Sequence, residues 1–323
     1  MVETEVLGTD PAALAQGADL LRAGGLVAMP TETVYGLAGD AGSDAAVAAI
    51  YAAKGRPSFN PLIAHVADME MAERLAEFPP EALALARAFW PGPLTLVLPL
   101  RAGAPVAGRV TAGLPTLALR MPAHPAARAL LRAFGGPLAA PSANPSGRIS
   151  PTEPAHVLAG LGGRIAAVID GGPCGVGVES TILAVAPDGT LRLLRPGGIG
   201  PEEIRAATGL TLALPEDENK DDGATARIEA PGQMLSHYAP RGTVRLNVTD
   251  PRPGEVLLAF GPSDSPYTLS QTGDLAEAAA NLFRRLHEMD QAGIDRIAVA
   301  PVPETGIGRA INDRLRRAAA PRD

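Results

Sequence analysis

Cations and hydroxyls recur in this chain just beyond strand-like segments, a pattern suited to binding anions. KGRPSFNP places Lys54, Arg56 and Asn60 in a proline-stiffened turn. A rigid guanidinium fork beside a compact ammonium suits a polyphosphate. Lys54 also stands where a helix over 45–54 would end, which favours any cation, but that leaves Arg56 and Asn60 unexplained. Arg120 lies in the apolar run TLALRM. Buried there, it needs an anion: either an internal partner, Glu32 or Glu179, or a ligand carboxylate. PTETVYGLAGD (30–40) crowds Thr31, Glu32, Thr33 and Tyr35 into one loop. PSANPSGRIS (141–150) holds Ser142, Asn144, Arg148 and Ser150 between prolines, as a plain turn or as an anion cradle. GGPCGVGVEST (171–181) carries Glu179 and Ser180 on a glycine-rich lead that lets backbone approach a ligand. Arg195 closes a further strand. His65, within LIAHV, reads by default as a satisfied core histidine, and Cys174 as a small filler rather than a nucleophile.

Other chemistries have no residues to carry them. G-x-x-x-x-G-K-[ST], G-x-G-x-x-G after a strand, G-x-S-x-G and H-E-x-x-H are all absent. One cysteine and five scattered histidines argue against a structural metal. A net charge of −7 and 3% aromatic residues argue against a broad nucleic-acid footprint. No apolar run reaches the ~20 residues of a membrane span. The polar start MVETEVLGTD has no signal-peptide pattern, so the expected compartment is the cytoplasm. Only two of the 28 basic residues are lysines, Lys54 and Lys220.

The elements that must position these groups alternate helix and strand, which predicts an α/β fold. Helices are expected over 45–54, 80–90 and 124–134, and strands over 25–29, 94–100, 116–121, 137–140 and 166–170. A hairpin over 181–194 turns at Asp188-Gly189. Its strand ends would gather the loops above around one pocket, as open sheets do. Residues 216–226 are acidic and aperiodic, as in a linker, followed by PGQMLSHYAPR with Met234, His237 and Tyr238. A second unit follows, with strands over 243–248, 255–260 and 297–302 and helices over 274–291 and 307–319. The 323 residues suffice for two cores, with divisions expected at 1–205, 206–242 and 243–323.

The motifs PTETVYGLAGDA, KGRPSFNPL, WPGPLTLVL, RMPAHP, PSANPSG, GVESTI and LRPGGI, in this order from 18 to 200, resemble the threonylcarbamoyl-adenylate synthases of YrdC-like fold. HYAPR, GDLAEAAANLFRRLHEMDQAG and GIGRAINDRLRRAA extend the likeness to the two-domain branch. The resemblance implies a twisted mixed sheet with helices, plus a smaller Rossmann-like unit. It implies that L-threonine, bicarbonate and ATP, with Mg²⁺ carried on the ATP, give threonylcarbamoyl-AMP and pyrophosphate. The product would pass to a tRNA threonylcarbamoyl-transfer complex. By resemblance, Thr33, His65, Arg120, Ala140 (through its backbone) and Ser180 form the threonine site. Lys54, Arg56, Asn60, Thr116, Ser142, Ser150 and Arg195 form the ATP site, with Tyr238 folding back over it. Lys54, Arg56 and Arg120 would act on the reacting groups, and no side-chain metal ligands are implied. Two alternatives remain at this stage: an RNA-binding module of the same fold, and a carbamoyl-transfer enzyme of the hydrogenase-maturation type. The single cysteine weighs against the second.

Overall fold

The computed structural model describes residues 3–213, 229–232 and 236–321. The acidic stretch 216–226 and Met234 lie outside the described residues.

A mixed sheet of ten strands forms the first part, in the order β1-β8-β2-β3-β7-β4-β6-β5-β9-β10. These strands are β1 (Glu5–Leu7), β2 (Val27–Met29), β3 (Gly36–Asp40), β4 (Ile63–His65), β5 (Leu94–Pro99), β6 (Thr116–Arg120), β7 (Leu138–Ala139), β8 (Ala167–Ile169), β9 (Thr181–Val185) and β10 (Leu191–Arg195). Around them run α1 (Pro11–Arg22), α2 (Asp44–Lys54), α3 (Met69–Leu75), α4 (Pro80–Phe89), α5 (Gly108–Thr111), α6 (Pro125–Phe134), α7 (Pro154–Leu161) and α8 (Pro201–Thr208).

Period-two alternation decides what each face carries. In β5 and β6, Leu94, Leu96, Leu98, Leu117 and Leu119 enter the main core, as do Ala64 of β4 and Leu183 of β9. The alternate positions Ile63, Val97, Ala118, Ile182 and Ala184 form a separate thin apolar layer capped by Ala230. Arg120 follows Ala118 on that second face, and His65 follows Ile63. The register pairs Ile63 with Ala118 and His65 with Arg120.

Local chemistry sets the boundaries. Ser43 accepts from Ala46 N to start α2, and Gly55, at φ 60, ends it in the left-handed conformation. The β9–β10 hairpin turns where Asp188-Gly189 predicts, with Asp188 Oδ1 accepting from Thr190 N at 3.0 Å.

The second part is a three-stranded parallel sheet, β11 (Thr243–Arg245), β13 (Arg296–Val299) and β12 (Val256–Leu258) in that order. α9 (Leu275–Gln291) links β12 to β13, and α10 (Gly308–Ala319) follows. All three strands are shorter than the sequence expects. β11 stops before Asn247, whose φ of 56 lies outside strand geometry.

The two parts share a core. Val34, Ile149 and Val178 of the first pack with Tyr238, Phe283 and Leu286. Gly177, at φ 78, approaches α9 so closely that a Cβ there would lie 2.3 Å from the Ala279 carbonyl oxygen. His156 of α7 stacks on His287 of α9 with ring centres 3.8 Å apart. Among the described residues no helix is long and apolar enough to cross a membrane.

Candidate active site

One cavity lies over the second face of the sheet. Thr33, Arg56, His65, Arg120, Ala140, Ser142, Ser180, Arg195 and Tyr238 all line it. The sequence reading places the pocket at the strand ends. His65, Arg120 and Arg195, the last residues of β4, β6 and β10, line it as expected, and the register sets His65 beside Arg120 with Ile63 one step behind on the same sheet face. Loops, with Pro231, Gly232, His237 and Tyr238, supply the walls. A second hollow, lined by Leu14, His124, Pro125 and Asp170 among others, has no Lys or Arg in its wall.

Arg120 takes the internal partner Glu32 and still faces the cavity. Nη2 donates to Glu32 Oε1 at 2.5 Å and Nη1 to Thr33 Oγ1 at 2.9 Å, while the side chain lines the cavity. Burial pushes the Glu32 carboxyl up, but the Arg120 charge and hydrogen bonds outweigh it and hold the group below its usual range. Glu179 is not Arg120's partner. It pairs with Arg314 Nε at 2.8 Å.

Lys54 is buried just behind the cavity wall. Its Nζ donates to the carbonyls of Ser142 and Asn144, both at 2.5 Å, and so pins the 142–144 loop. Burial, then the Arg56 charge, depress its pKa well below the usual lysine range. Arg56 is likewise pushed down to about 10, mainly by burial. Arg195 donates from Nε and Nη2 to the Ser180 carbonyl at 3.2 and 3.0 Å, and from Nη1 to the Pro231 carbonyl at 3.3 Å. Ser180 Oγ lies 2.7 Å from Thr95 Oγ1. Four cations from distant segments therefore meet around one hollow, an arrangement stable only with anions among them.

Several buried polar groups lack protein partners. Asn60, which does not line the cavity, has neither its amide nitrogen nor its oxygen bonded. His65 Nδ1 is also unpartnered, which corrects the default view of a satisfied core histidine. Burial and then Arg120 draw the His65 pKa down to about 3, so the ring is neutral. Ser150 Oγ donates to Glu179 Oε1 at 2.5 Å, set back from the cavity. Thr116 lies outside the enclosed space. It shares a face with Ala118 and Arg120, four residues and about 13 Å up the strand from the arginine.

Tyr238 is the roof. It is wholly buried, holds φ 61, and packs on His237 and Phe283. Positive φ in so bulky a residue is uncommon and marks a position held by its surroundings. Gly232 fits beneath it only because a Cβ would lie 3.0 Å from both Arg195 and the Tyr238 hydroxyl. The sequence reading names His237 without a role, yet it lines the same cavity, with Nδ1 unpartnered. Burial, then Arg56, Lys54, Arg195 and Arg314, keep it neutral. Its place in the HYAPR motif, next to Tyr238, is the signal in the sequence. Cys174 is buried, and its thiol is pushed up to about 12, chiefly by burial. No group of three or more His, Cys, Asp or Glu among the described residues could hold a metal.

This sheet and its cation-lined face define a class. Residues 19–197 match the Sua5/YciO/YrdC family, described as telomere recombination. Residues 199–320 match the threonylcarbamoyl-AMP synthase C-terminal domain, and the chain belongs to the threonylcarbamoyl-AMP synthase family. The threonylcarbamoyl-AMP synthase of Bacillus subtilis is 43% identical, with 99% of this chain and 96% of that one covered. The crystal structure of Pyrococcus abyssi Sua5 complexed with L-threonine is 40% identical over 98% of each chain, with a TM-score of 0.87. Escherichia coli YciO, 23% identical with a TM-score of 0.55, covers 61% of this chain and 96% of its own, and shares the fold.

Proposed function

We propose that the chain is a nucleotidyltransferase that forms L-threonylcarbamoyl-AMP and pyrophosphate from L-threonine, bicarbonate and ATP. The observation that carries this reading is the meeting of Arg56, Arg120 and Arg195 in one cavity backed by Lys54. It is supported by 40% identity to a protein whose structure is described with L-threonine.

The threonine amine and bicarbonate join as a carbamate with loss of water. A carbamate oxygen then attacks the α-phosphorus, and the bond to the β-phosphate oxygen breaks to release pyrophosphate. No side chain needs to act as nucleophile. Catalysis rests on holding mutually repelling anions in line among fixed cations. Arg120, already oriented by Glu32, takes the threonine carboxylate with its guanidinium. Thr33, Ser180 and the Ala140 carbonyl meet the amine and hydroxyl, and neutral His65 completes the wall. Arg56, Arg195 and the Ser142 loop take the phosphates, with the Lys54 charge behind that loop supporting them. Asn60 and Thr116 serve the nucleotide farther out. Ser150 acts through Glu179. Tyr238 closes over the ATP as part of a lid. Mg²⁺ carried on the nucleotide would neutralise phosphate charge. Glu179 at the cavity and Glu32 beside Arg120 are each held by an arginine, so neither is free to hold a metal.

The division into a catalytic unit over 1–205, a covering segment over 206–242 and a second unit over 243–323 is part of this proposal. So are a cytoplasmic location and hand-over to a tRNA threonylcarbamoyl-transfer complex. Pyrophosphate release measured with each substrate withheld in turn tests the reaction. We expect release only when threonine and bicarbonate are both present. Equal release with serine, or without bicarbonate, overturns the assignment.

A further inference from the structure

Arg314 belongs to α10, far in sequence from every motif that lines the cavity. Its side chain is 0% exposed. Nε donates to Glu179 Oε2 at 2.8 Å and Nη1 to Asp313 Oδ2 at 2.6 Å. The guanidinium carbon stands 5.3 Å from the Tyr238 ring centre. Glu179 lines the cavity, whereas Arg314 sits behind it.

The groups that act on Glu179 come from four directions. Arg314 and Asp313 approach from α10, Arg195 from β10, Lys54 from α2, and Tyr238 from the roof. Ser150 Oγ occupies its other oxygen. Burial pushes the Glu179 carboxyl up, but Arg314 and then Arg195 outweigh it, so it stays ionised. An ionised carboxylate beside Lys54 and Arg195 competes with any phosphate for those cations. Its charge must be satisfied from elsewhere if they are to serve a ligand.

We propose that Arg314 is a positioning residue for the reaction: by binding Glu179 from behind, it holds that carboxylate off Lys54 and Arg195 and leaves both cations to the nucleotide phosphates. The second unit thereby contributes a charge to the site without touching substrate. The inference rests on the reading of this cavity as an ATP site.

The sign of the pH effect follows. Without Arg314, the Glu179 pKa rises. At low pH the carboxyl is protonated and leaves the cations alone, while at higher pH it ionises and turns to them. ATP affinity in Arg314→Met should therefore fall more steeply than in wild type as pH rises.

The test is ATP binding by calorimetry across pH, with pyrophosphate kinetics, on the full chain and on Arg314→Met, Glu179→Gln and the double variant. We expect Arg314→Met to weaken ATP binding about tenfold at neutral pH, as one nearby unit charge can. The loss should fall on the KM for ATP rather than on the KM for threonine. The double variant should return to within about threefold of wild type, with wild type's pH profile, since it leaves no competing carboxylate. If Arg314→Met does not fold, the double variant carries the test alone, because it strands no buried carboxylate. A double variant as weak as Arg314→Met, or about tenfold weaker than wild type when tested alone, overturns the proposal. So does an Arg314→Met that binds ATP normally or with no added pH dependence. Wild type that fails to bind ATP overturns the functional reading itself, and this inference with it.

Discussion

Replacing Arg120 with alanine separates the threonine half of the site from the nucleotide half. In the fold the guanidinium donates to Glu32, to Thr33 and to the Gly92 carbonyl. Removing it deletes the cation that would meet the threonine carboxylate and strands Glu32, whose own carboxylate then repels that ligand. Removing one partner of a desolvated charge pair costs binding about 2–5 kcal/mol. At about 1.4 kcal/mol per factor of ten, even the lower figure weakens threonine binding by about thirtyfold. Stranding Glu32 also costs folding stability, so the paired variant Arg120→Ala with Glu32→Gln is the control. It should recover thermal stability but not threonine affinity. Calorimetric titration of threonine, with and without a non-hydrolysable nucleotide, measures both. ATP binding should stay measurable, since Lys54, Arg56 and Arg195 are untouched. Threonine affinity equal to that of wild type in either variant refutes the clamp.

Two further outcomes are expected. Tyr238→Ala should weaken ATP retention while both units stay folded by circular dichroism. A chain ending at Gly200 that works at full rate would eliminate the roof as a functional part. The stacked His156 and His287 are held neutral, mainly by burial, with pKa values drawn down to about 4 and about 3 from 6.5. The unfolded chain takes up these protons first, so stability should fall as pH drops from about 6.5 toward 4. His156→Asn with His287→Gln should make that fall shallower in thermal melts, and parallel curves would exclude the pair as its cause.

Much of this architecture was legible because it is written locally. The alternation of small or polar residues with leucine in TLALR sets which face Arg120 takes, and Asp188-Gly189 marks its hairpin. Ser43 and Gly55 bracket α2, and with it Lys54. The early helix α1 was not assigned. It carries Gly17 at its centre, a poor helix former that packs against Leu130. α3 and α7 are only seven and eight residues long, too short for a helical period to show. What could not be read was long-range pairing. Sequence alone left Arg120 to choose between two glutamates, and the one it does not take is claimed by an arginine 135 positions away. The pairing of His65 with Arg120 was likewise hidden, because a sheet face exists only once register brings β4 against β6.

Cys174 offers an experimental handle. It is the chain's one thiol, and a buried, reluctantly ionised sulfur reacts slowly with maleimides and iodoacetamides. The native protein should therefore be nearly silent to such labels. A cysteine installed on an exposed position, such as Arg148 beside the returning segment, would then be the dominant attachment point for a fluorophore. Opening and closing over the bound nucleotide could be followed in real time without first stripping the chain of its own sulfur.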